Sequence, residues 1–168
     1  MKRYMIDIET LGNGKHACIA QIGACSFDKT KTFKVNVDAR DASRMGCDID
    51  ADTVYWWLQQ SEAARQSICA PGVPICDALN QLNDFLSDAD EVWSHATFDF
   101  VIVTNTMKDL NIKPKFSYRT ARDIRTLVAL AKIDPFKNRN GVHHDALDDC
   151  LYQVDYCSEA MAKLEVSK

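Results

Sequence analysis

Two acidic residues separated by a single position, Asp7 and Glu9, interrupt an apolar run near the start of the chain, Tyr4-Met5-Ile6-Asp7-Ile8-Glu9-Thr10. Such a run predicts a buried strand, and strand side chains two apart leave from one face about 7 Å from each other. Burying carboxylates is costly unless something positive sits with them. A pair placed this way can hold two divalent cations about 3.5 to 4 Å apart, the arrangement that activates water and steadies charge in phosphodiester hydrolysis. The chemistry indicated is that of a metal site.

Two further acidic clusters fall where core elements end. One is Asp99 in Thr97-Phe98-Asp99-Phe100, the other His143-His144-Asp145-Ala146-Leu147-Asp148-Asp149. Taken alone, an Asp in the first turn of a helix is most often a cap or a dipole partner. Together with the strand pair, these residues point to one shared site. Oxygen ligands without a Cys or His cage select Mg2+ or Mn2+ over zinc, and a neutral histidine nearby, His143 or His144, can take the proton from an attacking water. Spacing alone leaves open which histidine serves, and which of Asp145, Asp148 and Asp149.

The elements that must position these residues can be read from periodicity. Residues 3 to 9, 17 to 27 and 31 to 38 predict three strands, the last alternating Phe33, Val35 and Val37 with Lys34, Asn36 and Asp38. Gly12-Asn13-Gly14 and Asp28-Lys29-Thr30 between them are turn signals, giving an antiparallel meander. Asp50 or Asp52 can cap a helix whose stripe is Val54, Trp57, Leu58, Ser61, Ala64, Arg65 and Ile68, ending before Pro71-Gly72. A helix over about 75 to 87, a short strand at 91 to 94 and a helix over about 97 to 110 follow. Asp123 can cap a helix through Ala131, and the last helix starts near His144 or Asp145 with Leu147, Cys150, Leu151, Val154, Cys157, Met161 and Leu164 on one side. This order implies an α/β fold, a mixed sheet with helices on its faces.

Composition narrows the class. At 168 residues and 46% hydrophobic content, one domain spanning 1 to 168 is expected. The N-terminus has no uninterrupted apolar stretch for export, and no segment approaches membrane-spanning length, so a soluble, cytoplasmic protein with no membrane partner is expected. Seven cysteines, no two closer than seven positions, give neither zinc spacing nor a paired disulfide framework, and predict reduced, mostly packed thiols. The net charge of −4 argues against a strong polyelectrolyte binder, yet Lys113 to Arg139 carries eight Lys or Arg against Asp123 and Asp134. An acidic metal-holding part beside a basic flank suits a polyanion; a merely solvated basic surface is the competing reading.

With these motifs assembled, a resemblance emerges. Asp7-Ile8-Glu9-Thr10, Phe98-Asp99, and His144 followed five positions later by Asp149 resemble, in order and spacing, the three motifs of the DEDDh 3′-to-5′ exonucleases. Trp56-Trp57-Leu58-Gln59-Gln60, Arg122-Asp123-Ile124-Arg125-Thr126 and the long C-terminal helix are similar in finer detail to a phage exodeoxyribonuclease and mycobacterial exoribonuclease group. The resemblance covers nearly the whole chain. It implies a ribonuclease H-like fold with a mixed five-stranded sheet, Asp7, Glu9, Asp99 and Asp149 as ligands of two Mg2+ or Mn2+ ions, and His144 as general base. The pair His143 with Asp148 keeps the same offset and is the runner-up. One departure is that Trp93-Ser94-His95 stands where the family commonly has Gly-Asn-Gly, which makes His95 a candidate substrate contact or an ordinary loop histidine.

The implied substrate is the 3′ end of a single-stranded nucleic acid. Thr10 and Leu11 directly follow the first motif and, by resemblance, meet the terminal nucleotide. Trp57 lies on the apolar stripe, whereas Trp56, turned by about 100°, is the better candidate for stacking on a base. Arg122 and Arg125 can bind phosphate with their planar forks. The expected activity is removal of nucleoside 5′-monophosphates from DNA or RNA. A catalytically weak nucleic-acid or partner-binding module of the same fold is the alternative. Exonucleases of this size often pair, and Trp56 could serve a homodimer interface as well as a base; the sequence leaves the oligomeric state open.

Overall fold

The computed structural model describes residues 1–135 and 141–166. Three strands open the chain, β1 (Arg3–Thr10), β2 (Ile19–Ser26) and β3 (Thr32–Asn36), and form the expected antiparallel meander. The short helices α1 (Ala39–Arg44), α2 (Ala51–Leu58) and α3 (Glu62–Cys69) follow, then α4 (Ile75–Phe85). Strand β4 (Glu91–Ser94) lies parallel to β1, helix α5 (Asp99–Asp109) follows it, and β5 (Ala121–Asp123) lies parallel to β4. The chain closes with α6 (Ile124–Ala131) and α7 (Ala146–Val166). The sheet order is β3-β2-β1-β4-β5, which puts β1 at the centre.

The period of two along β1 divides the core. Tyr4, Ile6 and Ile8 pack with Leu79 and Leu82 of α4 and Ile102 and Val103 of α5. Met5 packs on the opposite face with Cys25, Trp93, Ile124, Cys150, Val154 and Cys157. Asp7 and Glu9 share the parity of Met5, so the two acids stand where the pattern would otherwise supply apolar residues to α7. All seven cysteines are free thiols, and Cys150 and Cys157 lie on one packed face as their spacing predicts.

Close approach of α7 to the sheet depends on Gly23, the β2 partner of Asp7. A Cβ at this position would overlap the Ala146 carbonyl and the Leu147 amide at the start of α7. Next to it, Gln21 Oε1 accepts from Ala146 N at 2.8 Å and pins the helix end to β2. Among the described residues no helix is long and apolar enough to cross a membrane.

Some elements differ from the sequence reading. The helix expected from Val54 to Ile68 is two, because the chain breaks after Leu58 and Ser61 caps α3 through Ala64 N. Leu58, expected on the buried stripe, is 62% exposed, while Thr53 and Trp57 carry the inner face of α2. Asp50 rather than Asp52 caps α2. Helix α1 was not anticipated, and β5, the fifth strand that the resemblance implies, was given no position by the sequence pattern.

Candidate active site

Four carboxylates from three separate segments meet at the C-terminal end of β1. Asp7 and Glu9 come from the strand itself, Asp99 from the first turn of α5 and Asp149 from the first turn of α7. All are buried, Asp99 to 2% exposure. The turn between β4 and α5 fixes Asp99, whose Oδ2 accepts from His95 N at 2.8 Å. Ligand atoms of Asp7, His95 and Asp99 lie within 4.8 Å of one another, and so do those of Glu9, His144 and Asp149. Both groups line one cleft of about 560 Å3.

The carboxylates of this cleft repel one another. Burial pushes the Asp7 carboxyl well above the usual carboxylate range, and repulsion from Asp99, Glu9 and Asp149 adds to it. Gln153, one helical turn beyond Asp149 on α7, opposes this by donating from Nε2 to Asp7 Oδ1 at 2.7 Å. Like charges crowded into one buried group are what a divalent ion relieves, and carboxylates with one imidazole per group fit such an ion.

The acidic cluster at the head of α7 divides by helical phase. Asp145 takes Lys34 as an ion-pair partner, accepts from Ser67 Oγ at 2.5 Å, and approaches the Leu147 and Asp148 amides. Burial raises its pKa, but the bonds from Lys34 and Ser67 outweigh this and hold it below the ordinary value. Asp148 accepts from Val142 N at 2.8 Å and borders a different cleft. Of the three, Asp149 reaches the group with Glu9. Likewise His144 joins that group, while His143 stands beside its ring, centroids 5.6 Å apart. His144 adopts a left-handed backbone, φ 62°, and its ring meets Trp56 edge-on at 4.8 Å and Trp57 at 5.9 Å. Trp57 in turn donates from Nε1 to the Thr10 carbonyl at 2.8 Å, tying the histidine's support to the end of β1.

The 3′-5′ exoribonuclease Rv2179c-like domain matches residues 2–161. The chain belongs to this family. It thereby stands among the 3′-5′ exonucleases. A curated relative, the exodeoxyribonuclease of Enterobacteria phage T4, is 27% identical over 198 residues, covering 90% of this chain and 85% of the phage protein. Solved structures of exonuclease I share the fold: an apo form has a TM-score of 0.66 at 17% identity over 99% of this chain. The Methylocaldum szegediense enzyme gives 0.67 at 14% over 97%, and the E. coli enzyme in complex with a dA16 oligonucleotide gives 0.65 at 16% over 97%. This chain spans only 42%, 40% and 40% of those three proteins, respectively. The mixed five-stranded sheet is thus the ribonuclease H-like fold expected from the motifs.

The remaining residues expected to meet substrate in this Rv2179c-like chain are not all brought to the acidic cleft. Thr10 and Trp56 line a second cleft of about 350 Å3 that shares Ile8, Glu9 and Phe98 with the first. Trp56 is 42% exposed there, whereas Trp57 is buried. Leu11 is partly buried against the main core and borders another groove. Arg125 lines the acidic cleft. Arg122 does not, for its Nε pairs with Glu91 at 3.3 Å and Nη1 donates to the Arg119 and Ala121 carbonyls. A larger cleft of about 670 Å3, between the β2–β3 turn, the end of α6 and α7, contains none of the four carboxylates but shares Tyr152 and Tyr156 with theirs. Sequence reasoning missed Gln153. The signal was its offset of four from Asp149, which places both on one side of α7.

Proposed function

We propose that the protein is a metal-dependent 3′-to-5′ exonuclease acting on single-stranded nucleic acid and releasing nucleoside 5′-monophosphates. The observation that carries this reading is the convergence of Asp7, Glu9, Asp99 and Asp149 with two imidazoles in one cleft. Asp7, Glu9, Asp99 and Asp149 are the residues that would hold two Mg2+ or Mn2+ ions. Such ions, when bound, polarise the phosphodiester and lower the pKa of water.

The chain's own groups do the rest. His144, braced by Trp56 and Trp57 and reaching Glu9 and Asp149, accepts the proton of the attacking water in its neutral form. Trp56, partly exposed beside that histidine, is the ring offered to the terminal base, and Thr10 shapes the adjoining cleft. Arg125 is placed to hold a phosphate on the cleft wall. A single chain supplies every member of both ligand groups. The substrate class is supported by the E. coli exonuclease I relative, a protein described with a bound oligonucleotide, and the family and the phage relative differ in the sugar their names specify.

The decisive experiment is a time course on matched DNA and RNA oligonucleotides labelled at the 5′ end. Stepwise shortening is expected for linear strands, with closed circles left whole. Asp149→Asn removes a charge from the cleft without removing volume. It should cut nucleotide release at least about a thousandfold while the thermal melt stays near that of the native protein. Turnover close to native in this variant, or digestion of circles, would overturn the reading.

A further inference from the structure

His95 occupies a position that a substrate contact does not require. It follows Ser94 at the end of β4, its ring is 28% exposed, and its Nδ1 lies 3.6 Å from Asp99 Oδ2. Its backbone N–H already anchors the same carboxylate oxygen at 2.8 Å, so the ring is not needed to orient Asp99. Asp7 is held by Gln153 Nε2 at 2.7 Å, while Gln153 Oε1 is buried with no hydrogen-bond partner among the described residues. A ring nitrogen of His95 and one oxygen each from Asp7 and Asp99 lie within 4.8 Å of one another. Donors on opposite sides of one ion, at bonds of about 2.1 Å, stand about 4.2 Å apart, so small side-chain adjustments close this set.

We propose that His95 is a third ligand, with Asp7 and Asp99, of the cation held at that end of the cleft, and that it biases this position toward Mn2+ or Co2+ over Mg2+. The inference rests on the reading above that the four carboxylates hold divalent cations. Imidazole nitrogen is a good donor to first-row transition ions, whereas Mg2+ prefers oxygen and water. With His144 beside Glu9 and Asp149, each half of the cleft has two carboxylates and one imidazole, but only the Asp7 and Asp99 half takes its imidazole from the β4–α5 turn.

The test uses the full chain stripped of metal and titrated calorimetrically with MnCl2, CoCl2 and MgCl2 in the absence of nucleic acid. His95→Asn keeps the backbone N–H to Asp99 and removes the imidazole. One of the two Mn2+ and Co2+ sites should weaken about 10- to 100-fold, the scale of perturbing a metal's ligand shell, with Mg2+ affinity little changed. In pulsed electron paramagnetic resonance, Mn2+ bound to His144→Asn should retain a nitrogen coupling that the double variant with His95→Asn loses. Should His95→Asn not fold, His95→Gln carries the same expectations. Mn2+ affinity unchanged in His95→Asn, with a nitrogen coupling that persists in the double variant, would overturn the inference while leaving the cation site intact. Absence of Mn2+ binding by the native chain would instead overturn the metal-site reading on which it depends.

Discussion

Gln153 shows how much a metal-type site asks of a residue that carries no charge. Its amide donates to Asp7, a carboxylate that burial and its acidic neighbours push well above the usual range. Replacing it with Leu keeps the volume and removes the donor, so Asp7 gains freedom and loses its one opposing hydrogen bond. Gln153→Leu should lower kcat about 10- to 100-fold, with KM for a labelled oligonucleotide changed much less, because partners that orient ligands act on the chemistry more than on strand binding. Steady-state kinetics at saturating Mn2+ checks this; an unchanged kcat would show that Asp7 needs no such support. At this scale the sequence was informative where a residue broke a pattern. Asp7 and Glu9 stood out because acids do not belong on a central strand, and they arrive where that logic requires. The three acids of His144-Asp145-Ala146-Leu147-Asp148-Asp149 were not separable by spacing. What separates them is the capture of Asp145 by Lys34 and Ser67 and of Asp148 by Val142 N, contacts to segments far away or in a loop. Arg122 was equally unreadable, since its pairing with Glu91 depends on the parallel packing of β4 and β5.

Among the elements, the crossing of β2 and α7 determines whether the separate acids form one site. Gly23 leaves the space in which the backbone at Ala146 and Leu147 passes over the strand, opposite Asp7 in the sheet register. Gly23→Ala places a methyl group against backbone that has no flexible end to yield, and overpacking of this kind costs about 2 to 3 kcal/mol. Urea unfolding followed by tryptophan fluorescence should report that loss. Because the displaced helix carries Asp149 and Gln153, Mn2+ affinity should fall with stability, whereas a distant destabilising change would leave metal affinity intact. Strong local signals made most elements legible: the meander, β4, and α6 with its Asp123 cap, whose Oδ2 accepts from Thr126 N at 2.9 Å. The merged helix after Asp50 arose because apolar spacing continues across Gln59-Gln60, and periodicity alone does not register that Ser61 offers a new cap. Strand β5, Ala-Arg-Asp, has no apolar alternation and owes its extended form to the open edge of β4.

For the molecule as a whole, the placement of charge decides how a strand is held. Among the described residues, the basic excess from Lys113 onward does not gather at the acidic cleft. Lys115 pairs with Asp84, Arg122 with Glu91, and Lys132 borders the larger cleft with Lys163; Lys137 and Arg139 lie outside the described residues. Arg125 alone of the described members of that run lines the cleft with the carboxylates. A protein that tracks a strand through many phosphates loses about 10³- to 10⁵-fold in affinity between about 50 and 200 mM salt, whereas one phosphate contact on a single strand gives a slope near −0.7 and a loss of about threefold. The expected behaviour is the second. KM for a short 5′-labelled oligonucleotide, measured across that range at constant saturating Mn2+, should rise about threefold, and Arg125→Ala should raise KM and flatten most of the remaining slope. A loss of a thousandfold would mean that the basic run follows the strand after all, and affinity would then reside in the polyanion. With the shallow dependence, it resides in the terminal nucleotide, gripped between Trp56 and the acidic cleft, as suits an enzyme that must recognise an end.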